Sequence, residues 1–194
     1  RENWVNFKGE YYWVKDSNLY TKPKDPIPLY IAGLGEQSAR LAGEEADGFI
    51  TNEIDTDKIK SKLLPAVKEG ASKSGKGYSS LHKILFIPAS YDEDKQEALQ
   101  SIRFWRGAMI KAFFEVDIHD PRKIEENGQL IEDDTLEKTL IVISNAEEGI
   151  KKIRKYVELG FTEIVLTNAS PDRKKLIRLI AETIAPHFKT NDSR

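Results

Sequence analysis

A chain of 194 residues, with 39% hydrophobic and 32% charged residues, is long enough to fold as one domain with a heavily charged surface. The formal net charge of −2 means that the chain has no overall positive charge to attract nucleic acid or an anionic membrane. The absence of cysteine excludes disulfides, thiolate zinc sites and a cysteine nucleophile. No apolar run approaches the roughly 20 residues that span a bilayer, and the charged start is unlike a signal peptide, so the sequence predicts a cytoplasmic protein.

The first 27 residues are rich in aromatic side chains and end in an extended, proline-containing stretch. The aromatic run is Phe7-Lys8-Gly9-Glu10-Tyr11-Tyr12-Trp13, and Lys22-Pro23-Lys24-Asp25-Pro26 follows it as a predicted linker. Because the chain begins with Arg1 and lacks an initiating Met, we expect that an upstream segment has been removed.

Residues 28–51 predict a strand, a glycine loop, a helix and a second strand. The apolar run 28–32 is interrupted by Gly33-Leu34-Gly35, residues 36–45 favour a helix, and the next strand begins near residue 46. A glycine loop at a helix N-terminus lets bare backbone N–H groups and the positive end of the helix dipole approach a phosphate. Spacing alone leaves a simple tight turn as the commoner alternative.

Helices and strands continue to alternate along the rest of the chain. We expect helices at 55–74, 95–114, 146–159 and 173–184, and strands at 84–91 and 162–167. Pro65 lies inside the first of these helices and predicts a kink or a restart. Residues 117–134 are predicted to be irregular, and residues 136–143 fit either a helix or a strand.

This alternation indicates a parallel α/β architecture, and no internal repeat is present. Four clear strands are predicted, near 28–32, 48–51, 84–91 and 162–167. Four strand–helix units form half of an eight-stranded barrel, and they can also form a small open sheet.

Few side chains carry a catalytic or metal-binding signature. His82, His119 and His187 lack metal-ligand spacing and triad motifs, so surface or capping roles are the simplest interpretation, and no metal site is expected. The sequence contains no Walker loop, no GxGxxG motif and no GxSxG motif.

Polar residues after the second predicted strand are stronger candidates for contact with a substrate. Asn52, Glu53 and Asp55 lie where barrel enzymes carry their active sites, and a helix N-cap is the alternative role. Further along, Phe104 and Trp105 are adjacent on a predicted helix and therefore face different directions. At least one of the two is expected to pack into the core.

Six segments resemble the bacterial luciferase-like superfamily and, within it, the coenzyme F420-dependent dehydrogenases for sugar phosphates and secondary alcohols. In chain order they are Phe7–Tyr12, Pro28–Gly35, Leu41–Ile50, Arg103-Phe104-Trp105, His119-Asp120-Pro121 and Tyr156–Phe161. The first three recur across the superfamily, whereas the Arg-Phe-Trp and His-Asp-Pro elements are typical of the dehydrogenase branch. Together the segments extend over nearly the whole chain.

The resemblance implies that residues 1–194 form a single domain, the C-terminal half of a (β/α)8 TIM barrel with about strands five to eight. Residues 1–27 would be an insertion or linker before the fifth strand. The family's catalytic residues belong to the N-terminal half, so no catalytic residue is expected in this chain, which should be inactive alone. The expected partners are that N-terminal half, a small-molecule substrate and, for the complete enzyme, a second copy in a homodimer.

The cofactor that the resemblance implies is coenzyme F420. The loop that binds its tail corresponds to Ala32, Gly33, Leu34 and Gly35. Asn52, Asp55 and Trp105 would line the substrate side. An FMN-dependent luciferase-like monooxygenase and a non-catalytic half-barrel or assembly subunit are the alternatives.

The chain departs from relatives that use glucose 6-phosphate. Those relatives hold the phosphate with one Thr, two Lys and one Arg, where this chain carries Asn52, Asp55, Glu115 and Thr139. A phosphate dianion at such positions would lose charge-assisted hydrogen bonds and meet like charge. The resemblance therefore implies hydride transfer with a neutral alcohol, an aldehyde or a cationic substrate, with sugar phosphates disfavoured.

Overall fold

An antiparallel hairpin precedes the main sheet. The computed structural model describes residues 4–110 and 120–188. In its first segment β1 (Val5–Lys8) pairs with β2 (Trp13–Ser17), and the N–H of Gly9 donates to the carbonyl of Tyr12 at 2.8 Å to close the turn. The predicted aromatic run therefore forms the hairpin and its turn, whose large side chains are mostly exposed.

The main sheet contains five strands, which pair in parallel. They are β3 (Tyr30–Ala32), β4 (Gly48–Thr51), β5 (His82–Tyr91), β6 (Ile141–Ile143) and β7 (Glu163–Asn168). β4 pairs with the start of β5, β6 pairs with its end, and β7 pairs with Ile84–Ala89 between them. Some residues of β5 that pair with β4 or β6 also pair with β7. Therefore β4 and β6 lie along one edge of β5, and β7 lies along the other.

The four predicted strands are therefore four successive positions of the sheet, in the order β3, β4, β5, β7. The short strand β6 continues the line of β4 beside the end of β5. The sequence left residues 136–143 open between helix and strand, and the structure divides them: a helix ends at Thr139 and β6 begins at Ile141.

Eight α-helices are present among the described residues. They are α1 (Glu36–Glu45), α2 (Thr56–Lys58), α3 (Leu64–Lys73), α4 (Lys95–Ile102), α5 (Pro121–Gly128), α6 (Asp133–Thr139), α7 (Ala146–Leu159) and α8 (Arg173–Leu179). A π-helical turn at Ile59–Leu63 joins α2 to α3, and Pro65 lies in the first turn of α3. The predicted restart at Pro65 is confirmed, since proline has no N–H to continue the preceding hydrogen-bond pattern.

Two predictions about the segment between β5 and β6 are wrong. One long helix was expected at 95–114, but the α-helix ends at Ile102 and a 3₁₀ turn follows it over Arg103–Met109. A tertiary contact explains the change, because a Cβ on Gly107 would lie only 2.6 Å from Cγ2 of Ile124 in α5. The stretch expected to be irregular, 117–134, contains α5 and the first two residues of α6, and Asp120 caps α5 by accepting the N–H of Arg122 at 3.0 Å.

The described helices cover one face of the sheet and leave the other open. The helix-covered face carries Phe49, Leu85, Ile87 and Ala89, each at most 1% exposed. The open face carries Ile50, Phe86, Pro88 and Val165, which share a side through strand alternation and parallel register. Phe86 is 41% exposed there, and the other three are half-buried.

Two glycines bring α1 and α3 into close contact on the helix-covered side. A Cβ on Gly43 would lie 2.1 Å from the carbonyl oxygen of Val67, and one on Gly70 would lie 2.0 Å from that of Arg40. Any side chain at either position would force the two helices apart. Within residues 4–110 and 120–188, no helix is long and apolar enough to cross a membrane.

Candidate functional site

A cavity of about 320 Å³ lies where β4 and β5 meet the loops that follow β3 and β4. Its walls are mostly apolar and include Leu34, Ile54, Phe86, Pro88, Trp105 and Met109. Three polar side chains, those of Asn52, Glu53 and Lys58, also line it. We call this space the Trp105 cavity. An apolar cavity with a few convergent polar groups is the usual form of a small-molecule site.

The polar corner of the Trp105 cavity is an ion pair between Glu53 and Lys58. Oε2 of Glu53 lies 2.7 Å from Nζ of Lys58, and the Glu53 side chain is 4% exposed whereas that of Lys58 is 30% exposed. Oε1 of Glu53 accepts the N–H groups of Ile54 and Asp55 at 3.0 and 3.1 Å. The carboxylate of Glu53 is thus held in place by hydrogen bonds on both of its oxygens.

Asp55 forms the N-cap of α2. Its Oδ1 accepts the N–H groups of Asp57 and Lys58, each at 3.1 Å, and Asp55 is not among the residues that line the Trp105 cavity. The capping role that the sequence offered as an alternative is therefore present in the structure. Through the cap, Asp55 sets the start of the helix that carries Lys58.

The loop from Ala32 to Gly35 connects β3 to α1 beside the cavity. The N–H of Gly33 donates to the carbonyl of Ile50 at 3.0 Å, and Leu34 lines the Trp105 cavity. Gly35 is the N-cap of α1 with φ −122° and ψ 162°, and no side chain caps this helix. A Cβ on Gly35 would meet no atom within 4 Å among the described residues.

This geometry leaves the N-terminus of α1 accessible to a ligand. The first N–H groups of a helix have no intrahelical acceptor, and the helix dipole places partial positive charge there. The extended backbone of Gly35 requires no left-handed conformation, so a side chain at this position would be tolerated by the fold. The loop therefore has space for a phosphate at this helix N-terminus, and phosphate binding there stays a prediction.

Trp105 belongs to the 3₁₀ turn and packs partly against the hydrophobic core. Its ring centroid lies 5.4 Å from that of Phe104, which is 71% exposed, so one of the two adjacent aromatic residues packs inward as expected. Nε1 of Trp105 is buried and has no hydrogen-bond partner among the described residues.

Comparison with known proteins shows the family to which the chain belongs. The luciferase-like monooxygenase family matches residues 1–163, more than half of the chain. The chain belongs to this family. The luciferase-like chain is also 34% identical over 189 residues to an F420-dependent glucose-6-phosphate dehydrogenase of Intrasporangium calvum, and 34% identical over 190 residues to one of Segniliparus rotundus. These alignments cover 97% of this chain but only 57% of each relative.

Solved structures show the same similarity, again over about half of each similar chain. An F420-dependent secondary alcohol dehydrogenase, in complex with an F420-acetone adduct, superposes with a TM-score of 0.88 at 33% identity, over 96% of this chain and 56% of that one. A coenzyme F420-dependent tetrahydromethanopterin reductase from Methanopyrus kandleri shares the fold with a TM-score of 0.77 at 20% identity, over 95% of this chain and 58% of that one. The predicted fold class, the C-terminal half of a TIM barrel, is confirmed.

The luciferase-like chain brings some of the predicted site residues together and separates others. Leu34, Asn52 and Trp105 line one cavity, whereas Asp55 caps a helix. Thr139 is half-buried and donates to the carbonyl of Thr135 at 2.6 Å, outside the cavity lining. Glu115 and His119, which the sequence also singled out, lie outside the described residues.

The two other histidines lie away from the Trp105 cavity. His82 is the first residue of β5, several residues before Pro88, and its Nδ1 lies 2.8 Å from the hydroxyl of Tyr30. His187 is exposed near the C-terminus. Arg103 also lies outside the cavity lining and binds Asp133 at 2.6 and 3.1 Å. Its guanidinium lowers the pKa of the Asp133 carboxyl.

Several cavity residues were missed by the sequence interpretation. Phe86 and Pro88 alternate along the predicted strand at 84–91, so strand periodicity contained the signal for their shared face. Lys58 follows Glu53 by five residues, a spacing that identifies no ion pair before the helical turn between them is known. Met109 comes from the 3₁₀ turn, which was expected to be regular helix.

Proposed function

We propose that this chain is the C-terminal part of an oxidoreductase that transfers a hydride between coenzyme F420 and an alcohol/carbonyl pair. The observation that carries the proposal is the Trp105 cavity, which is mostly apolar and lies directly beside the uncapped N-terminus of α1. The similarity to F420-dependent dehydrogenases, including one solved with an F420-acetone adduct, supports it. When bound, the deazaflavin would supply the hydride chemistry, and the protein would supply position and electrostatics.

In this proposal the loop from Ala32 to Gly35 binds the phosphate in the cofactor tail. The space around Gly35 is open among the described residues, and the N-terminal N–H groups of α1 would donate to the phosphate oxygens. Leu34 in the middle of the loop contributes to the cavity wall, so the loop connects the cofactor site to the substrate site.

The substrate in this proposal is a small alcohol or its carbonyl partner. Leu34, Phe86 and Trp105 would contact its apolar part, and Asn52 would hydrogen-bond its oxygen. Asp55 would act indirectly, through the helix start that it caps. The buried carboxylate of Glu53 disfavours a phosphate dianion by like-charge repulsion, so we propose that sugar phosphates are poor substrates.

The acid–base residues of the reaction would come from the N-terminal half of the barrel. The chain spans 57% of the length of the curated relatives that it matches. Among the described residues, β3 and β7 each pair with one strand only, so each has an open edge to which a missing strand could add. This chain alone is accordingly expected to be inactive. The homodimer and the cytoplasmic location stay predictions.

The test is a cofactor titration with a variant at the loop. In the full-length enzyme, Gly35→Glu should weaken F420 binding by on the order of a hundredfold, because a carboxylate would occupy the phosphate position at the helix N-terminus. Gly35→Ala should bind almost as well as wild type, since a Cβ there has open space. Quenching of F420 fluorescence measures the affinity, and circular dichroism checks the fold.

A second glycine gives a matched control. Gly77 lies in an exposed loop before β5, and a Cβ there would make only ordinary contacts, the nearest at 3.5 Å. Gly77→Glu adds the same charge away from the proposed site and should leave F420 binding unchanged. Unchanged affinity in folded Gly35→Glu would exclude the loop as the phosphate site. Tight FMN binding without F420 binding by wild type would favour the monooxygenase alternative.

A further inference from the structure

The Trp105 cavity contains one cation and one carboxylate among its described lining residues, and they bind each other. Lys58 and Glu53 are joined at 2.7 Å between Nζ and Oε2. The carboxylate is almost fully buried, so it cannot reorient into bulk solvent when a ligand enters the cavity. Whatever enters near Lys58 therefore also enters near a fixed negative charge.

Both members of this ion pair are fixed by the backbone around them. The N–H groups of Ile54 and Asp55 hold Oε1 of Glu53, and the N–H of Glu53 donates to Oγ1 of Thr51 at 3.1 Å. Lys58 belongs to α2, whose N-cap carboxylate accepts the Lys58 N–H. The ammonium group is thus presented to Oε2 of Glu53 by a short, hydrogen-bonded turn.

We propose that Glu53 is a specificity-determining residue that keeps anionic substrates out of the Trp105 cavity by holding the ammonium of Lys58. The inference rests on the proposed function, since it concerns the substrate side of the same cavity. An incoming phosphate would have to displace a buried carboxylate from Lys58 or lie beside it, and either outcome is unfavourable. A neutral hydroxyl or carbonyl oxygen can accept one of the remaining ammonium N–H groups without disturbing the pair.

Exclusion of anions by this ion pair differs from exclusion through the loss of cationic side chains. Lysine is a common phosphate-binding side chain, and Lys58 lies at the cavity, so a cation is present. Its pairing with Glu53 decides whether an anion can use it. Substitution of the carboxylate should therefore turn a cavity for neutral substrates into one that accepts anions, with no cation added.

Glu53→Gln is the variant that tests this role most directly. The amide oxygen of glutamine can still accept the N–H groups of Ile54 and Asp55, while the amide nitrogen replaces the oxygen that binds Lys58. In the full-length enzyme, Glu53→Gln should bind glucose 6-phosphate and inorganic phosphate on the order of tenfold more tightly than wild type. Glucose, the neutral counterpart, should bind with unchanged affinity. Calorimetry measures all three without F420.

Two further variants assign the gain to Lys58. In the double variant Glu53→Gln/Lys58→Met the gain in phosphate affinity should disappear. The matched control is Glu69→Gln, which makes the same change in a surface ion pair with Arg40 and should leave phosphate affinity unchanged. No gain in Glu53→Gln, or a gain that persists in the double variant, would overturn the inference.

Lys58→Met alone keeps the inference testable if Glu53→Gln does not fold. Because removal of Lys58 leaves the fixed Glu53 carboxylate at the cavity without the opposing charge of the Lys58 ammonium, phosphate affinity should not rise above that of wild type. A rise in phosphate affinity would show that the Glu53 carboxylate does not exclude anions and would overturn the inference. The proposed function fails separately, by absence of F420 binding and of 2-propanol oxidation in wild type.

Discussion

Leu85 and Phe86 are neighbours on one strand, yet they occupy two different environments. Leu85 lies on the helix-covered face and is fully buried, whereas Phe86 lies on the open face and is 41% exposed. The same alternation extends across the sheet: Phe49 is buried beside half-buried Ile50, and Val165 of β7 pairs with Phe86. Both faces carry large apolar side chains, and the helices among the described residues cover only one of them.

This difference between the two faces indicates what kind of surroundings the open face is suited to. Strands of parallel sheets are usually buried on both faces and are apolar along their whole length, as most of β5 is. The apolar residues of the open face are therefore suited to the interior of a barrel, with the Trp105 cavity at one end of that interior. The helix-covered face provides stability, and the open face provides the site.

The largest expected effect is on the state of association of the 194-residue chain. An apolar sheet face and two open strand edges should drive the isolated chain to dimerise or aggregate. Phe86→Lys combined with Val165→Lys should shift it towards monomer, because two charges would interrupt the open face. Sedimentation velocity at several concentrations measures the distribution.

The control for this prediction changes the outer surface. Ile177 in α8 is 62% exposed and does not belong to the open face of the sheet, so Ile177→Lys should leave association unchanged. A monodisperse wild-type monomer that melts cooperatively would contradict the prediction. It would also show that the chain is complete as a domain and that the half-barrel needs no partner.

A smaller effect distinguishes the two faces by stability. In the full-length enzyme, Leu85→Ala should lower the free energy of unfolding by about 2–5 kcal/mol, because it leaves a void in a closely packed core. Phe86→Ala should cost less than Leu85→Ala, because Phe86 is a wall of the Trp105 cavity and already borders empty space. Urea denaturation gives both values. Equal losses would show that Phe86 is a core residue in the whole protein.

The sequence predicted the parts of the fold that have strong local signals. The strand–loop–helix–strand unit at 28–51, the amphipathic helix ending at Gly160 and the strand at 162–167 all carry periodicity or capping residues, and all are present. β6 has only three residues, too few for a periodic pattern, and its pairing depends on β5 some 50 positions earlier. The end of α4 depends on contact between Gly107 and α5, which is tertiary information.

The site was predicted to a similar extent and for similar reasons. Asn52 was predicted because the residues that follow parallel strands gather at one edge of the sheet, and it does line the Trp105 cavity. Asp55 was chosen by the same rule, but its carboxylate is used for capping. The pairing of Lys58 with Glu53 could not be read from spacing, because it depends on the turn that joins β4 to α2.

The smallest expected effect concerns a lysine on the helix-covered side, at the junction of α6 and α7. Nζ of Lys152 donates to the carbonyl of Glu137 and, at 3.1 Å, to that of Leu140. Burial, together with the nearby positive charge of Lys95, lowers the pKa of Lys152 from 10.5 to about 8. The folded protein therefore favours the neutral amine relative to the unfolded chain.

The sign of the pH effect follows from this shift. Between pH 8 and 10.5 the unfolded chain binds more protons at Lys152 than the folded protein does, so this residue's contribution to stability increases as pH rises through that window. The unfolding free energy of wild type minus that of Lys152→Met should thus increase as pH rises from 7 to 10. We expect an increase of about 1 kcal/mol after allowance for solvent screening. Denaturant unfolding at pH 7, 8, 9 and 10 measures it, with exposed Lys151→Met as the control for loss of one positive charge. A difference that stays constant over this range would mean that the two carbonyl oxygens keep the ammonium charged, and that hydrogen bonding outweighs burial at this position.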